Sequence, residues 1–314
     1  MKQIPVLIPP PQEQEAIVKF LDYANGKLDR AIRAKRKTIA LLNEQKQAII
    51  HRAVTRGLDP SVPLKPFGIP WLGDIPAYWD VRKLKYGITP IKQGWSPQCD
   101  AQPAANDEWG VLKVGCVNKD FFDERQNKKL SMHHKPDRSL EIQDGDILVS
   151  RANTKDLLGL AALAESPRSK LILCDKIFRF HAREEVFNKK FLVLALRAKP
   201  SRIQIESNTN GASSSMQNIG QSVLKNLLIS FPPVAEQEEI VARISLEIEP
   251  QDVLTRRFES EIQFLQEYRT RLISDVVTGK LDVREAAKRL PTETVAEVIK
   301  DIGENEDEEL EEAA

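Results

Sequence analysis

The chain has 314 residues, of which 41% are hydrophobic and 29% charged, and 46 basic residues balance 46 acidic ones. This composition fits one large or two smaller globular domains and excludes collagen-like, mucin-like and wholly disordered proteins. No apolar run approaches the roughly 18 residues of a membrane span, so we expect no membrane association. Three isolated cysteines, Cys99, Cys116 and Cys174, argue against a disulfide framework and favour a reducing, cytoplasmic location.

The charges are unevenly distributed along the chain. Residues 12–57 carry a net charge of +5 and residues 60–230 a net charge of +7, whereas residues 290–314 carry −9. The acidic tail therefore offsets a basic body, and this asymmetry is typical of proteins that bind a polyanion.

An internal repeat is the strongest feature of the sequence. Residues 9–59 align with residues 232–282 at a constant offset of 223, without a gap and with 17 identities in 51 positions. Both copies start with Pro-Pro, continue with Glu-Gln-Glu and Ile-Val, and end with Val-Thr and Leu-Asp. Two copies around a long insert predict two equivalent elements that flank one domain.

Both copies show the heptad spacing of paired long helices. The residues predicted to pair the helices are Leu28, Ile32, Ile39, Leu42, Ile49, Phe258, Ile262, Leu265, Leu272 and Val276. Lys46 and Arg269 occupy matching positions in this stripe. They either set the register of the pair or pack only their stems while their charges reach water.

Helix-breaking residues divide each copy at nearly the same place. Asn25-Gly26 and Glu249-Pro250 predict short helices at 12–24 and 235–248, followed by long helices at 27–55 and 251–278. Each long helix would measure about 42 Å.

The segment 60–230 predicts a mixed α/β domain. Strand-like runs occur at 109–117, 145–151, 171–180 and 224–231, with one helical stretch at 187–199. The second helical region spans 231–289, and residues 290–314 form an acidic tail that we expect to be disordered. The predicted fold is α+β, with one mixed domain between two helices that form an antiparallel coiled coil.

Catalytic patterns are missing from the sequence. No phosphate-binding GxxxxGK[ST] loop is present. Asp137 with Glu141 resembles a metal-nuclease pair, but the lysine that should follow is replaced by Gln143. His133 and His134 are adjacent, so on regular structure their side chains point apart and no metal site is expected. The sequence therefore predicts a non-catalytic binding protein that holds no cofactor or metal.

Several phrases resemble one protein family. These are IPPPQEQEAIVKFLD, FPPVAEQEEIVARI and RLISDVVTGKLDVREA in the repeats, and GIPWLGDIPAYWDVRKLK, GDILVSRANT and NGASSSMQNIG between them. Together they are similar to the specificity subunit of Type I restriction-modification systems, over residues 2–286.

The resemblance implies a DNA-binding subunit with no chemistry of its own, used in host defence. Its target-recognition domains would read the halves of an interrupted DNA sequence. Its helices would space those domains and dock modification subunits, which use S-adenosylmethionine to methylate adenine. Restriction subunits would add translocation and cleavage driven by ATP and magnesium. A 42 Å spacer slightly exceeds the roughly 34–36 Å turn of B-DNA, as half-sites about one turn apart require.

The order of elements departs from the usual family pattern. Family members usually run recognition domain, helix, recognition domain, helix, whereas this chain runs helix, recognition domain, helix. We therefore expect a form without the first recognition domain: a truncated product, a shuffled cassette or a half-subunit. Such a chain would read one half-site and act as a homodimer or with a second protein.

Candidate DNA contacts are polar residues on loops that leave strands. They are Lys92, Gln93 and Trp95; Arg151, Asn153 and Lys155; and Ser214, Gln217 and Asn218, with Ser213 and Ser215 beside them. Each could equally belong to an ordinary solvated loop. Two other classes stay open: a coiled-coil scaffold that binds DNA without specificity, and a diverged methyltransferase or nuclease.

Overall fold

The computed structural model describes residues 8–67, 73–209 and 217–291. The helices are α1 (Pro11–Arg56), α2 (Lys189–Arg197), α3 (Lys199–Glu206), α4 (Gln221–Asn226), α5 (Val234–Val277) and α6 (Arg284–Arg289). The strands are β1 (Leu64–Pro66), β2 (Asp74–Pro76), β3 (Asp80–Lys83), β4 (Lys92–Gln93), β5 (Gly110–Leu112), β6 (Asn127–Lys129), β7 (Ile147–Ser150), β8 (Ala152–Asn153), β9 (Ala161–Leu163), β10 (Leu171–Ile172), β11 (Ile177–Phe180), β12 (Gln217–Asn218) and β13 (Leu228–Phe231).

Contacts divide the chain into two compact units. The helical unit contains the residues up to Glu44 and those from Pro250 onward, and the central unit contains Gln45–Glu249. The predicted domain boundaries at 60 and 230 stay a prediction, and the tail beyond residue 291 lies outside the described residues.

In the helical unit, α1 and α5 run antiparallel. Lys35 forms an ion pair with Glu261, and Asp29, six residues earlier in α1, pairs with Arg269, eight residues later in α5. Farther toward the start of α1, Ile17, Phe20 and Leu21 pack against Leu272 and Val276 of α5. The predicted antiparallel helix pair in an α+β fold is thereby confirmed.

The heptad stripe lies at different depths along the helices. Ile32 is 5% exposed, Leu272 8% and Val276 1%. The other stripe residues are half-buried: Leu28, Ile39, Leu42, Ile49, Phe258, Ile262 and Leu265. Half-burial is expected of a two-helix seam, which covers each side chain from one direction only.

The predicted helix breaks are wrong. α1 continues through Asn25-Gly26 and α5 continues through Pro250. One glycine inside a helix costs only about 1 kcal/mol, which the packing of Ala24 and Ile32 on either side can offset. A proline inside a helix costs about 3 kcal/mol. α5 nevertheless continues through Pro250, in a stretch where Leu246 and Val253 are exposed. At 46 and 44 residues, the helices are about 69 and 66 Å long rather than 42 Å.

The central unit is built on short strands. The largest sheet has the order β4-β11-β7-β9 and is antiparallel throughout. A second sheet has the order β10-β5-β6, in which β10 and β5 are parallel. Two apolar clusters form the core, one around Phe178, Phe187 and Phe191 and one around Leu112, Leu148 and Leu171.

The predicted runs only partly coincide with strands. The run 171–180 divides into β10 and β11 at a turn closed by a hydrogen bond from Ile177 N to Cys174 O. The run 224–231 begins inside α4 and becomes extended only at β13, and 114–117 is a 3-10 helix rather than a strand. Strand alternation in the sequence does not detect turns of this length.

Both long helices also belong to the central core at one end. Ile50, Ala53 and Val54 of α1 lie in the same cluster as Ile240 and Ile244 of α5. Lys46 is 7% exposed, and its ammonium lies 2.8 Å from Asp120. Lys46 and Arg269 therefore both form ion pairs; the Lys46 side chain is withdrawn from water, whereas the Arg269 side chain stays 29% exposed.

Among the described residues, no helix is long and apolar enough to cross a bilayer.

We predict that replacing Ile39 and Ile262 by aspartate opens the helix pair. Two charges in a half-buried apolar seam should lower the free energy of unfolding by about 3 kcal/mol. Denaturant unfolding followed by helical circular dichroism measures this change. Aspartate at Leu41 and Phe264, which are 57% and 67% exposed, is the matched control. Equal stability of the two double variants would contradict the pairing.

The cysteines should differ in reactivity. Burial raises the pKa of the Cys174 thiol to about 12 and raises the pKa of Cys116 well above its usual value. Because only the thiolate attacks alkylating reagents, neither should react at pH 8 without unfolding. Cys99, which is half-buried, should be modified first. Mass spectrometry after iodoacetamide treatment checks the order, and early modification of Cys174 would contradict the described core.

Candidate nucleic-acid interface

The first predicted group lies at the edge of the largest sheet. Lys92 and Gln93 form β4, which pairs with β11, and both side chains are exposed. A side chain at Gly94 would overlap the carbonyl of Leu173, so the glycine permits a close approach to the protein's own backbone. Trp95 then donates its backbone N–H to Leu173 O at 3.2 Å. Its ring packs edge-to-face on His134, with centroids 5.6 Å apart, and stays 37% exposed.

The second predicted group meets the first at the turn Asp175–Lys176. The Ser96 hydroxyl, next to Trp95, donates to the Asp175 carboxylate. Arg151 Nη1 donates to Asp175 O at 3.3 Å, and Arg151 N donates to Lys176 O at 2.8 Å. One turn therefore holds both the Trp95 segment and Arg151.

The third predicted group pairs with the second. Gln217 and Asn218 form β12, which is antiparallel to β8 and places Gln217 opposite Asn153. Ile219 N donates to Arg151 O at 3.0 Å and extends this pairing. Residues that are more than sixty positions apart in sequence therefore lie side by side. Ser213, Ser214 and Ser215 lie outside the described residues.

Asn118 also lies at this site, although it is not among the residues predicted from the sequence. Its side-chain Oδ1 accepts a hydrogen bond from Asn153 Nδ2 at 3.2 Å, so it belongs to the same surface. Asn118 directly follows the apolar run 109–117, and the rule that selected the other candidates would have selected it too. Lys155 lies farther on, exposed, in a 3-10 turn over Lys155–Leu157. We call Trp95, Asn118, Arg151, Asn153, Gln217 and Asn218 the recognition surface.

A cleft of about 300 Å³ adjoins Lys92 and is lined by Arg138, Arg179 and His181. The charged residues at the floor of this cleft bond other groups of the protein. Arg179 is 6% exposed and donates to Glu141 O at 2.6 Å and to Ser139 O at 2.8 Å. Asp146 lies 3.4 Å from Arg179, and burial raises the pKa of its carboxyl. Lys92, next to the sheet edge, and Arg138 are the exposed cations that line this cleft.

Asp137 and Glu141, which resemble a metal-nuclease pair, each accept a hydrogen bond from a backbone N–H. Asp137 accepts from Ser139 N at 2.9 Å and so caps a 3-10 turn. Glu141 accepts from Lys170 N at 2.7 Å. Within residues 8–67, 73–209 and 217–291, no group of His, Cys, Asp and Glu side chains could hold a metal ion.

Buried charges fix the loop that carries Asn118. Arg197 donates to the carbonyls of Lys119 and Ala161 at 2.9 and 2.8 Å and to the Asp120 carboxylate at 3.0 Å. Burial opposes ionisation of Asp120, but Lys46 and Arg197 outweigh it and hold the pKa of the carboxyl below its usual value. Asp120 thus stays charged between two cations, two residues after Asn118.

Comparisons with known proteins agree on one family. The family model for the Type I restriction modification DNA specificity domain matches residues 78–262. The EcoEI specificity subunit of Escherichia coli is 34% identical over 200 residues, which cover 63% of this chain and 33% of that subunit. The EcoKI specificity subunit of Escherichia coli strain K12 is 20% identical, over 91% of this chain and 59% of that subunit. This chain therefore spans between a third and three fifths of the length of these relatives.

A solved structure shares the fold. It describes the complex assembly and conformational transition of the type I R-M system, and one of its chains matches with a TM-score of 0.55 and 17% identity. The match covers 88% of this chain and 62% of that chain. Because the family model spans residues 78–262, more than half of the 314, the chain belongs to the Type I restriction modification DNA specificity domain family.

Proposed function

We propose that this chain recognises one half of an interrupted DNA sequence through the recognition surface. The observation that carries the proposal is the meeting of three separate sequence groups at the Asp175–Lys176 turn and the β8–β12 pair. A solvated loop needs no such convergence. A base-reading surface does, because adjacent base pairs must be contacted at one time.

The side chains on this surface suit the edges of bases. Arg151 has the geometry for guanine, and the amides of Asn118, Asn153, Gln217 and Asn218 suit adenine. Lys92 and Lys155 are exposed, and we assign them to phosphates, which position the duplex without reading it. The net charge of +7 over residues 60–230 supports this assignment.

Partner subunits supply the chemistry in this proposal. The helices dock modification subunits, which bind S-adenosylmethionine and methylate adenine, and restriction subunits bring ATP and magnesium. This chain is non-catalytic and holds no cofactor, which is supported by the structural roles of Asp137, Glu141 and Arg179. The whole complex acts on DNA in the cytoplasm. The Ile39→Asp, Ile262→Asp variant should therefore also lose modification subunits.

One recognition surface per chain gives one half-site. A complete interrupted site then needs a second reader, either another copy of this chain or a second protein. A scaffold that binds all DNA equally would enrich no sequence motif, and a diverged methyltransferase would bind S-adenosylmethionine by itself.

Arg151→Ala should relax one position of the recognised motif. Loss of a bidentate contact to guanine should cost about 1–3 kcal/mol at that position. Lys92→Ala and Lys155→Ala are the matched comparison: they should weaken binding to all sequences alike and lower the salt slope by about one. Selection from random oligonucleotides, with affinities at two salt concentrations, separates these effects. A chain that enriches no motif is a non-specific scaffold, and the proposal fails.

The purified chain should bind neither ATP nor S-adenosylmethionine. Isothermal titration calorimetry with each ligand, with and without magnesium, should give no heat of binding. The chain combined with its modification subunits is the positive control for S-adenosylmethionine. Micromolar binding by the chain alone would favour the diverged methyltransferase instead.

A further inference from the structure

The cleft beside Lys92 places two exposed cations above a buried arginine. Lys92 and Arg138 line its walls, and Arg179 lies beneath them. Within the described ranges, neither Lys92 nor Arg138 forms an ion pair with an acidic side chain. The volume of about 300 Å³ is roughly that of ten water molecules, so the cleft has room for a phosphate group and its bound water.

Arg179 fixes the two walls of the cleft relative to each other. It lies opposite Lys92 in the antiparallel β4–β11 pair, so both side chains leave the same face of the sheet. Its guanidinium donates to Ser139 O and Glu141 O, in the backbone that directly follows Arg138. The segments that carry Lys92 and Arg138 are therefore held in place before any ligand binds. Such preorganisation lowers the entropic cost of binding.

The buried acid of the cleft is already paired. Asp146 is fully buried, with Oδ2 at 3.4 Å from Arg179 Nη1 and Oδ1 at 3.1 Å from His181 Nε2. Its charge is directed at the floor and at one ring nitrogen of His181. Asp146 therefore offsets Arg179 and leaves the exposed cations to a ligand.

One exposed acid, Asp137, lies near these cations. Its hydrogen bonds from Ser139, and to a smaller extent the charge of Lys92, hold the pKa of its carboxyl below the usual value. Asp137 therefore stays ionised. Lys92 and Arg138 together still outweigh it by one positive charge.

We propose that this cleft, which we call the phosphate cleft, binds one backbone phosphate of the DNA between Lys92 and Arg138, with Arg179 as the positioning residue. Lys92 precedes Trp95 of the recognition surface by three residues, which span at most about 11 Å. Each strand of B-DNA carries a phosphate about every 3.4 Å along the axis, so a duplex on the recognition surface has phosphates within reach. This inference rests on the proposed function and adds Arg138 to it.

Ethylation interference tests whether Lys92 and Arg138 share one phosphate. The duplex carries the motif that the unmodified chain selects, and ethyl groups neutralise its phosphates one at a time. Arg138→Ala and Lys92→Ala should each lose the interference at the same phosphate. Each should weaken binding about tenfold near 0.1 M salt and lower the salt slope by about one. Arg82→Ala is the control, because Arg82 is also exposed but pairs with Asp80 on β3; its interference pattern should be unchanged.

Asp137→Asn should have the opposite effect. An asparagine oxygen can still accept the hydrogen bond from Ser139 N, so the turn is kept while one negative charge is removed. DNA binding should tighten severalfold at low salt. Damage to the fold would weaken binding instead, so the sign of the change separates electrostatics from structure.

Three results would overturn the proposal. One is an interference pattern of Arg138→Ala that matches the unmodified chain. Another is weaker DNA binding by Asp137→Asn. The third is calorimetric binding of inorganic phosphate that Arg138→Ala abolishes while its DNA affinity is unchanged, which would make free phosphate the ligand.

The proposed half-site recognition is judged separately, by whether a motif is selected. If a motif is selected and the interference pattern does not change, only the phosphate cleft fails. If no motif is selected, half-site recognition fails, and salt slopes on a duplex of arbitrary sequence still test the cleft, because phosphate contacts do not depend on sequence. An unchanged slope for Arg138→Ala on that duplex would rule the cleft out.

Discussion

The Lys46 side chain lies almost completely out of solvent, with its ammonium against Oδ2 of Asp120, and Arg197 binds Oδ1 of the same carboxylate. A buried charge that loses one partner is costly, so neither the helix nor the loop can shift alone. Asp120 lies in the loop that carries Asn118, and Asn118 bonds Asn153. The position of α1 in the central unit is thereby linked, through the Lys46–Asp120 ion pair and the loop that carries Asn118, to the surface that we assign to DNA.

Sequence periodicity predicted those parts of the fold that depend on the local spacing of apolar residues. The repeat, the two long helices and their antiparallel pairing follow from spacing that any two-helix seam requires. Glycine and proline suggested breaks at Gly26 and Pro250, but packing on either side of Gly26 outweighs its local cost, and α5 continues through Pro250 as well. The breaks also removed Ile17, Phe20 and Leu21 from the predicted pair, although they pack on Leu272 and Val276.

The sequence predicts which residues form the candidate surface, but it does not predict how they are arranged in space. Arg151, Asn153, Gln217 and Asn218 were chosen because polar side chains follow apolar runs, and the structure brings them together through the β8–β12 pair. Nothing in the sequence shows that Asp175 and Lys176 join the Trp95 segment to Arg151, because Ser96 and Asp175 are far apart in sequence and the backbone carbonyls that hold Arg151 carry no sequence signal. Asn118 also follows an apolar run, but only its hydrogen bond with Asn153 shows that it belongs to the same surface.

The bonds made by Gln237 determine which changes in the inserted domain its attachment to α5 tolerates. The Gln237 amide binds the chain through Val186 O, Asn188 N and Pro232 O, which are main-chain atoms that any amino acid supplies. These bonds do not depend on the side chains at positions 186 and 188, whereas the apolar cluster that Phe187 and Phe191 share with Ile240 does depend on side chains. In the second repeat, Gln237 therefore connects α5 to the inserted domain through main-chain atoms. An insert with different side chains at positions 186 and 188 would keep these hydrogen bonds without any compensating change in the helix seam.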